Sequence, residues 1–104
     1  MSEFMTVALT DQVPSERGLQ VRLDNLELAV FQLDGEYYVL EGRCPHRGGP
    51  LGEGMTENGR VFCPLHGWEF EIRTGACIEN PAKPVKCFPT RVVDGQIQIQ
   101  FEKV

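Results

Sequence analysis

Apolar and polar positions alternate in short runs along this chain, each closed by a glycine, a proline or an Asp-Gly pair. Met5–Leu9 and Leu19–Leu23 are strand-like, and the turn-rich stretch Thr10-Asp11-Gln12-Val13-Pro14-Ser15 separates them. Leu26 to Leu33 alternates imperfectly; Asp34-Gly35 follows, and Tyr37-Tyr38-Val39-Leu40 resumes the apolar run. An Asp-Gly pair between two such runs predicts a hairpin, because both turn positions take positive φ. The device recurs at Arg91-Val92-Val93, Asp94-Gly95 and Gln96–Phe101, the last a period-2 strand with one polar face.

Between these hairpins the pattern is more broken. Gly52 to Gly59 is a joining run, and Arg60-Val61-Phe62 is a short strand leading into Cys63. Glu69-Phe70-Glu71-Ile72 alternates again, and Thr74-Gly75 turns the chain back toward Ala76-Cys77-Ile78. Asn80-Pro81-Ala82-Lys83-Pro84 reads as a stiff extended connector, since two prolines within four residues exclude helix. No window of eleven or more residues carries helical periodicity. Eleven glycines and seven prolines punctuating short strands predict an all-β fold of small antiparallel sheets, stacked as a sandwich with an inserted metal subdomain.

With 104 residues, the chain is expected to form one domain over 1–104. A hydrophobic share of 41% against 24% charged residues suits a globular protein and argues against disorder. The net charge is −5, and the basic residues are scattered singly, which argues against nucleic acid and anionic membranes as partners. No apolar run approaches the roughly 20 residues of a membrane span. Without an export signal, the four cysteines are expected in the cytoplasm.

The chemistry concentrates in two short loops, expected at 43–52 and 62–69: Cys44-Pro45-His46-Arg47-Gly48-Gly49-Pro50-Leu51 and Cys63-Pro64-Leu65-His66-Gly67-Trp68. They contain both histidines of the chain, spaced C-x-H, sixteen residues, C-x-x-H. Cys44, His46, Cys63 and His66 therefore form a candidate four-ligand metal site, and thiolate with imidazole suits either zinc or an iron–sulfur cluster. Zinc fingers usually run Cys, Cys, His, His. Here the order is Cys, His, Cys, His, so each loop supplies one sulfur and one nitrogen. Two irons, one held by both sulfurs and the other by both nitrogens, would be served by that order.

The motifs C-P-H-R-G-G-P-L and C-P-L-H-G-W resemble the Rieske [2Fe–2S] signature, and with the R-T-G turn and the P-x-K…D-G run the similarity covers about residues 5 to 102. The resemblance implies a Rieske fold and one [2Fe–2S] cluster per chain, with Cys44 and Cys63 on an inner iron and His46 and His66 on an outer, more exposed one. It further implies that Gly48, Gly49 and Gly67 let backbone N–H groups approach the cluster sulfurs, and that Pro45 and Pro64 stiffen the loops. High-potential Rieske proteins of respiratory complexes join the loops by a disulfide and place Ser and Tyr hydroxyls against sulfur. Gly49 and Leu65 stand at the disulfide positions here, and Trp68 and Phe70 at the hydroxyl positions. Fewer hydrogen bonds to sulfur leave the reduced cluster less stabilised, so a low potential is implied.

With both histidines used as ligands, no imidazole remains for a catalytic triad or a 2-His-1-carboxylate iron. The family resemblance implies a ferredoxin, not an enzyme, which carries single electrons from an NAD(P)H-dependent flavoprotein reductase to a terminal Rieske non-haem iron oxygenase. A small subunit of an assimilatory nitrite reductase is the alternative, and a zinc-binding interaction module the third reading. The protein is expected to be a monomer. Cys77 and Cys87 are expected as free, partly buried thiols outside the cluster.

Overall fold

The computed structural model describes residues 2–15, 17–23, 25–45, 48–65 and 67–102. Among these residues ten strands run in chain order: β1 (Ser2–Leu9), β2 (Leu19–Leu23), β3 (Leu26–Leu33), β4 (Glu36–Glu41), β5 (Met55–Glu57), β6 (Arg60–Phe62), β7 (Glu69–Glu71), β8 (Cys87–Phe88), β9 (Thr90–Val93) and β10 (Gln96–Glu102). Two 3₁₀ turns, Thr10–Gln12 and Leu51–Glu53, are the only helical elements among the described residues. The strands form three antiparallel sheets ordered β1-β10-β9, β2-β3-β4-β8 and β5-β6-β7, as the all-β reading expects.

β3 explains the imperfect alternation. Leu28 and Val30 face a core shared with Val7, Ile97 and Ile99 of the first sheet. Ala29 and Phe31 face the opposite way, into a core shared with Val61, Phe70, Cys44 and Cys63. All four β3 residues are 0–1% exposed. The middle sheet is thus buried on both faces, and a strand so placed reads as a continuous apolar run.

Three hairpins use the same turn. Asp34-Gly35 (φ 52° and 81°) joins β3 to β4, and Asp94-Gly95 (50° and 75°) joins β9 to β10, both as the sequence predicts. Asn58-Gly59 (52° and 77°) joins β5 to β6 inside the stretch read from sequence only as a joining run. β1 starts at Ser2, three residues before the sequence pattern places it, because β10 offers a ladder out to Glu102. The connector at Asn80 is corrected: it is a tight turn, not extended. Lys83 N–H donates to Asn80 O at 2.9 Å and Ala82 N–H to Asn80 Oδ1 at 3.1 Å. Pro81 at the second position supplies the φ that such a turn needs, and Asn80 caps it.

Candidate metal centre

The first ligand loop leaves the end of β4 through Gly42 and Arg43 and returns at Pro50, which bridges back to Arg43. The second is the end loop of the hairpin β6–β7, whose ladder pairs Phe62 with Glu69 and Val61 with Phe70. Their origins differ, yet their backbones close in one way. Cys44 N–H donates to Gly49 O at 3.0 Å, and Cys63 N–H to Trp68 O at 2.8 Å. Gly48 N–H returns to Cys44 O at 2.7 Å, and Gly67 N–H to Cys63 O at 3.1 Å. Each loop is therefore Cys-Pro-x-x-Gly-x, with the glycine at φ 72° in one and 71° in the other. That left-handed conformation is what requires glycine at both places.

Two of the glycines also have a role within the loops themselves. The amides of Gly48 and Gly67 are spent on the cysteine carbonyls, closing the loops. Among the described residues, the Leu65 amide hydrogen-bonds the Cys63 thiol. Gly49 acts differently, since a Cβ there would lie 2.9 Å from Cys63 Sγ and 3.1 Å from Leu65 Cγ. It leaves open the space beside the Cys63 sulfur. The same figures put Gly49 against Leu65 across the two loops, so the place of an inter-loop disulfide is filled by an aliphatic side chain.

Cys44 and Cys63 are 1% and 2% exposed and belong to one core with Phe70, Ile72 and Leu51. Their side chains are within hydrogen-bonding reach of one another. Burial pushes the Cys63 thiol up to about 11; the Leu65 amide works against this, while the Cys44 thiol adds to it. The two thiols face each other in an apolar pocket, and the raised Cys63 thiol is a poor nucleophile at neutral pH. A bound metal would take both as thiolate ligands, displacing the proton that burial holds on Cys63. His46 and His66, the other two expected ligands, lie outside the described residues. Among the described residues no group of three or more His, Cys, Asp or Glu side chains is arranged to hold a metal.

Phe70 is fully buried beneath the two cysteines, and Trp68 packs half-buried against the same core, so neither position brings a hydroxyl to the site. All four cysteines are free. Cys77 is buried in the same core as Cys44 and Cys63, a placement that its position after the Thr74-Gly75 turn does not advertise. Cys87 is half-buried and donates to Arg73 O at 3.6 Å; burial raises its pKa. Sequence reasoning also passed over Gln20, whose carboxamide donates to Gly42 O at 2.9 Å and accepts from Gly52 N–H at 2.7 Å.

The Rieske [2Fe-2S] domain family model matches residues 3–89. The chain belongs to the Rieske [2Fe–2S] family. The biphenyl dioxygenase ferredoxin subunit of Pseudomonas sp. (strain KKS102) is 32% identical over 102 residues, covering 96% of this chain and 94% of the relative. A ferredoxin of Sphingomonas yanoikuyae B1 superposes with a TM-score of 0.87 at 28% identity, covering 96% of this chain and all of that one. A Mycobacterium tuberculosis chain described as the small subunit of an NADH-dependent nitrite reductase superposes at 0.85 with 27% identity, covering 100% and 99%. The cofactor of this Rieske domain is a [2Fe–2S] cluster, and the donor set fits it: two facing thiols, loops matched in backbone, and a space beside Cys63 Sγ kept open by Gly49. Family membership removes the zinc-module reading.

Proposed function

We propose that this protein is a one-electron carrier, a Rieske ferredoxin, that takes electrons from an NAD(P)H-dependent flavoprotein reductase and delivers them to a terminal Rieske non-haem iron oxygenase. The observation that carries this reading is the pair of Cys-Pro-x-x-Gly loops that brings Cys44 and Cys63 face to face in one core. In this reading the cluster is held by Cys44 and Cys63 through sulfur and by His46 and His66 through nitrogen. It supplies reversible one-electron chemistry, and the chain's own residues do the rest. Phe70, Ile72 and Leu51 keep water from the sulfurs. The Leu65 amide stabilises charge on Cys63 Sγ.

Leu65, 45% exposed, and the exposed Pro45 and Pro64 give the loops an apolar tip for brief docking of a protein partner. The relative named as a dioxygenase ferredoxin subunit, aligned along nearly its whole length, supports an oxygenase as that partner. Residues 1–104 act as one cluster domain, working as a cytoplasmic monomer. The test is iron and acid-labile sulfide analysis of the purified protein, paired with His66→Ala and His46→Ala. Two irons and two sulfides per chain are expected, and either variant should lose the Rieske visible and EPR signals. An unaltered spectrum in either refutes the ligand set.

A second reading is favoured by one observation, the end-to-end match to a nitrite reductase small subunit. Under it the chain would sit in a larger enzyme and exchange electrons internally. Isolation as a red-brown monomer with reversible reduction supports the carrier. Copurification with a large haem- or flavin-containing subunit supports the alternative.

A further inference from the structure

The two ligand loops share a backbone pattern but are not anchored alike. The second is the end of a hairpin and inherits the β6–β7 ladder, reinforced by Arg60 Nη1 to Glu69 Oε2 at 3.1 Å. The first hangs between the end of β4 and the 3₁₀ turn at Leu51–Glu53. Among the described residues the Arg43–Pro50 bridge and Leu51 N–H to Gly42 O at 2.9 Å close its base, and Gly42 N–H donates to Glu27 O at 2.8 Å on β3. A side chain from another strand completes that base. Gln20 on β2 reaches across to donate to Gly42 O and accept from Gly52 N–H, one group on each stem of the loop. The approach is close because both stem residues are glycine: a Cβ at Gly42 would lie 2.7 Å from Gln20 Nε2, and one at Gly52 2.7 Å from Gln20 Oε1.

The same carboxamide is linked to a second chain of contacts. Gln20 Nε2 lies 3.5 Å from Glu27 Oε1, and the other oxygen of Glu27 pairs with Arg43 Nε. Arg43 immediately precedes Cys44, and its guanidinium runs beside the Gly48 turn, where a Cβ would meet Nη1 at 3.6 Å. Gln20, Glu27 and Arg43 thus touch the first loop at both stems and at its glycine turn. A carboxamide offers one donor and one acceptor at this reach, whereas a carboxylate cannot donate and a thioether does neither well.

We propose that Gln20 is the positioning residue of the first ligand loop, clamping its two stems through Gly42 and Gly52 and steadying its turn through Glu27 and Arg43. The anchorage is a property of the folded chain. Only its effect on the cluster rests on the ligand assignment proposed above. The test compares Gln20→Met and Glu27→Gln with Val30→Ala, a truncation in the core on the far side of the middle sheet, all in the cluster-loaded protein. Hydrogen exchange is read by mass spectrometry on peptides spanning 42–52 and 62–69, together with EPR g-values and the rate of cluster loss to an iron chelator.

In Gln20→Met, exchange over 42–52 should rise about tenfold with 62–69 unchanged, and cluster loss should quicken by a similar factor. The g-values should shift, which a uniform loss of stability does not produce. Glu27→Gln should give the same pattern more weakly, since both backbone bonds of Gln20 remain. Equal rises over both peptides, as expected for Val30→Ala, or no rise over 42–52, overturn the proposal. The exchange result stands even if His46 proves not to be a ligand, whereas a failed ligand set shows first in the iron analysis and the His46 variant.

Discussion

Loop for loop, the candidate metal centre repeats one backbone closure and is held in two ways. Cys44 to Gly49 and Cys63 to Trp68 repeat the same pair of backbone hydrogen bonds and the same left-handed glycine, yet the histidine falls two residues after the cysteine in one and three in the other. The sixth position differs as well. Gly49 leaves space beside the Cys63 sulfur, whereas Trp68 packs its ring against the core. A shared closure with unequal side chains lets two loops of one backbone pattern differ at their sixth position. Their bases differ in kind: a strand ladder holds one, and a carboxamide from a distant strand holds the other.

The comparison can be broken most severely at the cysteines. Cys44→Ala and Cys63→Ala should each abolish cluster binding, seen as loss of iron and of visible absorbance. An iron-loaded single variant would refute the symmetric role of the two thiols. Next in size is Gly49→Ala, which forces a methyl to 2.9 Å from Cys63 Sγ and should lower cluster occupancy several-fold. Gly48→Ala and Gly67→Ala should instead destabilise the loaded protein by about 1–2 kcal/mol each in denaturant titration, because each places a Cβ in the left-handed region. A difference between those two larger than the cost itself would show that the backbone likeness is superficial.

The absence of a hydroxyl at Trp68 and Phe70 sharpens the comparison electronically. The midpoint potential should fall in the lowest third of the Rieske range, below about 0 mV by protein-film voltammetry, and a value above about +100 mV refutes the argument. The smallest effect lies away from both loops, at Cys87. Burial raises this thiol, so the folded chain keeps its proton where the unfolded chain gives it up. Its contribution to stability is therefore full below the unfolded value of 9.0 and is lost as pH rises beyond it. Denaturation of wild type and Cys87→Ser between pH 7 and 10 should show the wild type losing slightly more stability than the variant.

Much of this molecule was legible in its residues, for identifiable physical reasons. Asp34-Gly35 and Asp94-Gly95 announced their hairpins because an Asx-Gly pair suits one tight turn type. Asn58-Gly59 carries the same signal. It went unread because the flanking strands, Met55–Glu57 and Arg60–Phe62, are only three residues long and show little alternation. The two loops were found by their ligand types, but their shared closure was not, since hydrogen bonds from Gly48 and Gly67 to cysteine carbonyls leave no mark beyond the glycine itself. Gln20 was hidden for a different reason. In Leu19-Gln20-Val21-Arg22-Leu23 a polar residue between two apolar ones reads as the solvent face, and only the fold brings Gly42 and Gly52 to its carboxamide. Asn80–Lys83 misled because proline excludes helix without choosing between extended chain and turn.

β3 gives neighbouring residues to opposite cores, Leu28 and Val30 to one and Ala29 and Phe31 to the other. A slip of one place in its pairing would exchange those tenants, driving the Phe31 ring into the space shaped for Val30 and leaving Ala29 to fill the room of Leu28. Lengthening the Asp34-Gly35 turn by a single residue is thus no minor edit at the surface, since it sets the turn against the ladder and the two buried faces that hold this strand in step with β4.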